Sequence, residues 1–208
     1  MKIVVIGVGS TALNVVEILL SNHTFSIYGF VGVTEENKKN FNKTVYKNIR
    51  YLGDRTILKK LKNEDVFGFI VGVGERFKRE LAFYEGISSG LIPINAISRN
   101  ALIEPTVKIG KGVIINSGVT LSHNVNILDN CLIEPGVIMD INTVIGDNCN
   151  IGARSIISGE CEISRNVDIG KGVIVDPKVN IGKNQTIAIN EHIIKSLPDI
   201  KRKKISEI

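Results

Sequence analysis

The chain has 208 residues, of which 43% are hydrophobic and 23% charged, enough to bury a sizeable core in one or two domains. Trp is absent and aromatics make up 5%, which disfavours an aromatic-rich sandwich or α/β enzyme core and suits stacked aliphatic side chains. The net charge of +5 rests largely on the run Lys201, Arg202, Lys203 and Lys204; this reads as a solvated tail able to attract an anion such as a nucleotide or coenzyme A, with no nucleic-acid partner expected.

Residues 3 to 20 are apolar, but Asn14 and Glu17 would face lipid and Gly7 and Gly9 split the run, so no membrane span is predicted and a cytoplasmic location is expected. Lys2 to Ile6 predicts a buried strand, Gly7-Val8-Gly9-Ser10-Thr11-Ala12 a glycine turn, and about Ala12 to Leu20 an amphipathic helix. This is G-x-G-x-x-A between strand and helix, the context in which the motif has a mechanism. Glycines let the backbone approach a phosphate, and the helix N-terminus supplies N–H donors and partial positive charge. A turn that merely packs helix on strand is the competing reading.

Further strands are predicted at Ser26 to Val33 and Val66 to Val73, and with helical stretches between them they give a small βαβ sheet. The second strand ends Gly32-Val33-Thr34-Glu35, a poor match to the acidic strand end that holds an adenine ribose in dinucleotide folds. A nucleotide or nucleotide-sugar phosphate fits better. Gly72-Val73-Gly74-Glu75 is a second tight strand end, and Ile92 to Asn100 reads as a junction between domains.

From Ile97 every sixth residue is aliphatic or Met: Ile103, Ile109, Ile115, Leu121, Ile127, Ile133, Met139 and so on to Ile187, sixteen positions without insertion or deletion. Neither the 3.6-residue period of a helix nor the 2-residue period of a strand calls for this. Two residues before each aliphatic the side chain is small or β-branched, from Val107 to Val179; three residues after it Gly or Asn dominates, from Gly112 to Asn190. Gly and Asn enter the left-handed backbone region at least cost. Each repeat is therefore a short strand and a turn, three repeats make a triangular coil of eighteen residues, and about five coils stack as a solenoid. Cys131, Cys149 and Cys161 fall in the small inward column, so they read as buried structural thiols in a reducing compartment, without disulfide or metal. Glu191 to Ile208 reads as a polar extension of helical character.

A short βαβ domain leading into a hexapeptide β-helix resembles the sialic-acid O-acetyltransferase and UDP-4-amino-sugar N-acetyltransferase group over roughly residues 1 to 190. The resemblance implies an α/β Rossmann-like N-terminal domain (1–94) that holds a nucleotide-sugar, an all-β left-handed parallel β-helix (95–190) and a basic tail (191–208). It further implies a homotrimer with acetyl-CoA, and no metal, in the groove between neighbouring β-helices. The acceptor would be a nucleotide-activated or acidic sugar in surface-glycan biosynthesis. Gly118-Val119-Thr120-Leu121-Ser122-His123-Asn124-Val125 matches the family's catalytic stretch in phase, making His123 the general base and Asn124 its orienter. Gly7, Gly9, Ser10, Thr11, Thr34 and Gly72 would meet the sugar nucleotide. Ile141, Ala153 and Gly159 would line the acyl-CoA groove, with the Ile141 N–H as oxyanion donor. His23, in a polar loop, and His192, in the tail, do not compete for the base role. Three departures stand out: Asn124 where the family has Asp or Glu, Leu132 where a further histidine is frequent, and Asp140-Ile141-Asn142 with no glycine and no later Gly-x-Pro segment. They open a second reading, a catalytically weakened nucleotide-sugar-binding trimer serving as scaffold or regulator.

Overall fold

The computed structural model describes residues 1–33 and 46–201. Thr34 and the basic residues Arg202 to Lys204 lie outside the described residues. The chain divides into two compact units, residues 1–99 with 111–114 and residues 100–110 with 115–208.

The first unit is a parallel five-stranded sheet: β1 (Lys2–Ile6), β2 (Ser26–Gly32), β3 (Tyr51–Asp54), β4 (Val66–Val71) and β5 (Ile92–Pro93), in the order β3-β2-β1-β4-β5. Helix α1 (Ser10–Asn22) follows β1, a short helical stretch over Arg55–Glu64 follows β3, and α2 (Arg76–Ser88) follows β4. Strands β1, β2 and β4 are the expected ones. The brief β3 and β5 carried too few alternating apolar residues to be read from sequence. Val31, Val66, Phe69, Val71, Leu58, Leu61, Ala82 and Phe83 form one core cluster. Helix α2 is capped by Glu75, whose carboxylate accepts from the N–H groups of Phe77 and Lys78 at 2.7 and 3.2 Å, satisfying donors that the helix itself leaves unpaired.

Two glycines let the elements close. Gly7 has φ +120, and a methyl there would lie 2.5 Å from the Gly72 carbonyl oxygen; a methyl on Gly72 would lie 2.4 Å from Ala12 Cα. The backbones of β1, β4 and α1 therefore touch at this point with no room for a side chain.

The second unit is a three-sided parallel β-helix. One ladder stacks Leu102–Ile103, Thr120–Leu121, Ile138–Met139, Ile156–Ile157, Ile174–Val175 and His192–Ile193, each pair directly over the one eighteen residues earlier. A second runs from Lys108–Ile109 through Asn126–Ile127, Val144–Ile145 and Glu162–Ile163 to Asn180–Ile181. The third includes Leu132–Ile133, Asn150–Ile151, Asp168–Ile169 and Thr186–Ile187. The sixth-place aliphatics from Leu121 to Ile187 are all buried. Every Gly and Asn from Gly112 to Asn190 in the turn column has positive φ, and Arg154, Glu160 and Lys178 adopt it too. The repeat imposes the left-handed turn even where the side chain disfavours it.

The small inward column carries more than volume. Cys131, Cys149 and Cys161 each direct a thiol to a carbonyl fifteen residues on, at 3.1 Å. Thr143 and Ser155 use their hydroxyls in the same way, at 3.1 and 2.9 Å. A weak donor at this position satisfies a backbone acceptor that Val leaves to other partners. At one corner the asparagines form a buried chain: Asn130 donates to Asn148 at 3.0 Å, Asn148 to Asn166 at 2.9 Å, and Asn166 to Asn184 at 3.3 Å. The expected helical extension after Glu191 is corrected here. His192–Ile193 adds a strand to the first ladder, and the N–H groups of Leu197 and Ile200 donate to Asn180 and Lys183. The edge left open by Ile181 and its neighbours takes up this segment, and an apolar residue at Ile193 supplies the core side chain.

Outwardly the faces differ. The first ladder presents Leu102, Ile138, Ile156 and Ile174, which are between 37% and 64% exposed, together with Thr120 and His192; the second presents Lys108, Asn126, Val144, Glu162 and Asn180.

Two outcomes test this packing. Asn148→Ala removes two buried hydrogen bonds and puts a β-carbon at φ 57 without the local asparagine contacts, an expected loss of about 2–3 kcal/mol. Asn148→Gly loses the same bonds but not the backbone preference, so its thermal midpoint should fall less. Burial pushes the Cys161 thiol up, with backbone N–H groups of Val179 and Lys178 opposing in part. The native protein should thus resist iodoacetamide at pH 8 while the unfolded chain reacts at all three thiols. Since the folded form holds this proton longer, its contribution to stability is intact below the ordinary thiol range and declines as pH rises above it, readable as a lower denaturation midpoint at pH 9.5 than at pH 8.

Candidate active site

The corner after Thr120–Leu121 is the turn Ser122-His123-Asn124-Val125, closed by Val125 N–H to the Ser122 carbonyl at 3.3 Å. Asn124 takes the left-handed position, φ 59, which leaves His123 exposed on the rim. Its Nδ1 lies 2.9 Å from the hydroxyl of Thr106 on the preceding coil. That same oxygen accepts the Asn124 N–H at 3.0 Å.

The expected orienter is corrected. The Asn124 side chain donates to Asn142 Oδ1 at 3.3 Å, along the stack of turn asparagines, so it does not hold His123. Thr106 does, a residue that composition and motif reading passed over. Counting eighteen back from Asn124 would have found it, because it is a β-branched hydroxyl in a column otherwise filled by Gly, Asn and long polar residues.

Ile141 and Gly159 stack on the same corner. Asn142 N–H donates to the His123 carbonyl, Glu160 N–H to that of Ile141 and Lys178 N–H to that of Gly159, at 2.9–3.0 Å. A methyl on Gly159 would sit 3.3 Å from Ile141 Cγ1. The Ile141 N–H, however, is donated to the Asp140 carboxylate at 2.8 Å. Ala153 belongs to a different corner, with its carbonyl under Gly172 and its N–H on Glu134 Oε2 at 2.9 Å. His123, Ile141 and Gly159 thus come together, and Ala153 does not join them. Leu132 is a buried strand residue. His192 is no tail residue: its Nε2 pairs with Asp176 Oδ1 at 2.8 Å, so an acid-paired histidine exists on a later coil.

In the first unit, Gly7, Gly9, Ser10, Thr11 and Gly72 gather at the carboxyl ends of β1 and β4. The N–H groups of Gly7 and Gly72 are taken by the Val31 and Ile6 carbonyls, both at 2.8 Å. Gly9 precedes α1 with no side-chain cap, and a methyl on it would meet nothing within 4 Å. Gly7 and Gly72 therefore serve packing, whereas Gly9, Ser10 and Thr11 present an open helix N-terminus. A cavity of about 590 Å³ in this unit is lined instead by Val33, Asp54, Arg55, Lys59, Glu85 and Ser88. The Arg55–Glu85 ion pair at 2.7 Å borders it. Among the described residues no cluster of three or more metal-ligating side chains occurs, and no helix is long and apolar enough to cross a membrane.

Residues 92–175 match the family described as the GMPPB C-terminal domain. No curated protein matches. Among solved structures, a variant of perosamine N-acetyltransferase from Caulobacter crescentus, in complex with CoA and GDP-perosamine, superposes with a TM-score of 0.87 at 24% identity, over 96% of this chain and 91% of that one. The acetyltransferase domain of PglB from Neisseria gonorrhoeae, with acetyl coenzyme A, gives 0.83 at 20% identity, over 95% and 93%. WeeI from Acinetobacter baumannii gives 0.64 at 16% identity, over 96% and 94%. Each match spans both units of the chain. The chain has the fold of the hexapeptide-repeat sugar acetyltransferases, a Rossmann-like α/β unit followed by a left-handed parallel β-helix.

Proposed function

We propose that the protein is an acyltransferase that moves an acetyl group from acetyl-CoA to an amino or hydroxyl group of a nucleotide-activated sugar, with His123 as general base. The observation that carries this reading is an imidazole on an exposed β-helix corner, held through Nδ1 by Thr106, in a fold shared end to end with acetyltransferases. The Caulobacter enzyme was solved with CoA and GDP-perosamine, and one of its histidines replaced by asparagine in one structure and alanine in another; both facts support a donor thioester, a sugar-nucleotide acceptor and attention to a histidine.

The chemistry is direct acyl transfer. The sugar nitrogen or oxygen attacks the thioester carbonyl while Nε2 of His123 takes its proton, and the C–S bond breaks as the tetrahedral centre collapses. The proton then passes from the imidazolium to the leaving thiolate, so charge and atoms balance. The open N-terminus of α1, with Gly9, Ser10 and Thr11, would receive the diphosphate. Ile141 and Gly159 would lie along the acyl-CoA path, with Ala153 on another corner serving only if a neighbouring chain brings the path there. A homotrimer in the cytoplasm, acting in surface-glycan synthesis, completes the reading; the apolar stripe of Leu102, Ile138, Ile156 and Ile174 is a face suited to a second β-helix.

One observation favours the second reading, a binding scaffold. A carboxylate on the Ile141 N–H both occupies the donor that an oxyanion needs and sets negative charge beside it, the reverse of what transition-state stabilisation requires.

Thioester cleavage measured with acetyl-CoA and a panel of UDP- and GDP-amino sugars and sialic acid tests both. His123→Ala should lower kcat/KM by about 10²-fold or more, and His192→Ala should leave it within about twofold; undiminished turnover in His123→Ala removes the base. Asp140→Ala should raise kcat by about tenfold if the freed Ile141 N–H then stabilises the oxyanion. No cleavage in either the native protein or Asp140→Ala, together with sugar-nucleotide binding by calorimetry, would establish the scaffold.

A further inference from the structure

From Gly136 onward the corners of the β-helix follow one hydrogen-bond rule, and earlier corners depart from it: the Gly118 N–H goes to the Asn100 carbonyl, eighteen residues back, and the His123 corner uses a side chain. At ten successive turn residues from Gly136 to Asn190, the N–H donates to the carbonyl nineteen residues earlier, as Asn142 does to His123 and Lys178 to Gly159. At Asn124 the N–H goes instead to the Thr106 hydroxyl, 3.0 Å away. Thr106 stands in the turn column, yet its φ is not positive; a β-branched residue is strongly disfavoured there. Its turn, Glu104-Pro105-Thr106-Val107, is closed by Val107 N–H to the Glu104 carbonyl at 3.0 Å. That conformation raises the hydroxyl against the coil above, where it meets both the Asn124 amide and the imidazole.

We infer that Thr106 is the positioning residue of His123: its oxygen accepts the Nδ1–H and thereby leaves Nε2 as the proton acceptor. The inference deepens the acyltransferase reading and rests on it for its catalytic meaning. A threonine hydroxyl has two lone pairs and one hydrogen. With one lone pair on the Asn124 N–H, the second receives Nδ1–H, and the hydroxyl hydrogen turns to solvent. The opposite arrangement, hydroxyl donating to Nδ1, would place the ring proton on Nε2 and block the base. The first arrangement also survives ring protonation, since the imidazolium still donates from Nδ1 to the same oxygen. Among the described residues no carboxylate is seen on the ring: Asp140 takes the Ile141 amide, and the Asn124 side chain donates to Asn142. A neutral oxygen from the coil below fixes the tautomer and the ring plane without adding charge.

The test is the ring tautomer of His123 in the full-length protein, by long-range ¹H–¹⁵N NMR on ¹⁵N-histidine, assigned by the signal missing in His123→Gln. Above the ring's titration, Nδ1 should be the protonated nitrogen and Nε2 the bare one. Thr106→Val should shift this population toward Nε2–H, and Thr106→Ser should restore it. In the transfer assay Thr106→Val should lower kcat about tenfold with KM for acetyl-CoA unchanged within twofold, and Thr106→Ser should recover most of the loss. A native Nε2–H tautomer, or a Thr106→Val spectrum identical to the native one, overturns the inference whatever the activity. An inactive protein whose Nδ1–H signal depends on Thr106 sinks the acyltransferase reading and leaves the positioning role in place.

Discussion

Everything in the second unit depends on coils of equal length. The first N–H of successive strands is donated to a carbonyl seventeen residues ahead, as from Thr120 to Val137, Ile138 to Ser155 and Ile156 to Val173, so apart from short turn closures such as Val125 to Ser122 a coil is satisfied by its neighbours. A coil of seventeen or nineteen residues would shift the inward aliphatic off the axis and leave its strand groups unpaired. The eighteen-residue spacing is thus an energetic requirement, and it has a chemical by-product: any residue lies over another of known number. His123 stands above the Thr106 turn and beneath Ile141 for that reason alone.

The same requirement explains the side chains that pack without being apolar. Cys, Ser and Thr in the small inward column bond corner carbonyls, and buried asparagines link coil to coil. Both groups satisfy acceptors or donors that a solenoid corner exposes to a dry interior, where an unmet polar group costs about 1–3 kcal/mol. Asn124, exposed on another corner, makes the same kind of coil-to-coil bond, to Asn142. Its side chain answers to the stack and not to the imidazole beside it.

Charge is distributed unlike an acid-assisted histidine site. Asp176 pairs with His192 and Asp140 takes the Ile141 amide, while among the described residues the partner of the His123 ring is a neutral oxygen. In the first unit the glycine motif divides in function. Gly7 and Gly72 are needed where three backbones touch, and Gly9, with no neighbour within 4 Å of a methyl, leaves the helix terminus accessible. One motif therefore holds both the packing and the phosphate readings, residue by residue.

The amino-acid sequence alone determined the β-helix, its coil length, its left-handed turns, the buried thiols and the β1–turn–α1 unit, because each of these is written in a period or a local backbone preference. It also placed His123 on a corner. It missed the strand at His192–Ile193, whose single apolar Ile193 is too little pattern to extend a repeat, and the short β3 and β5, which depend on pairing with longer neighbours. Only the tertiary structure decided which group holds the imidazole, that the Ile141 amide is occupied, and that Ala153 lies on another corner. Those facts turn on where a hydroxyl or carboxylate points within about 3 Å, a matter of side-chain torsion and inter-coil contact that no spacing along the chain encodes.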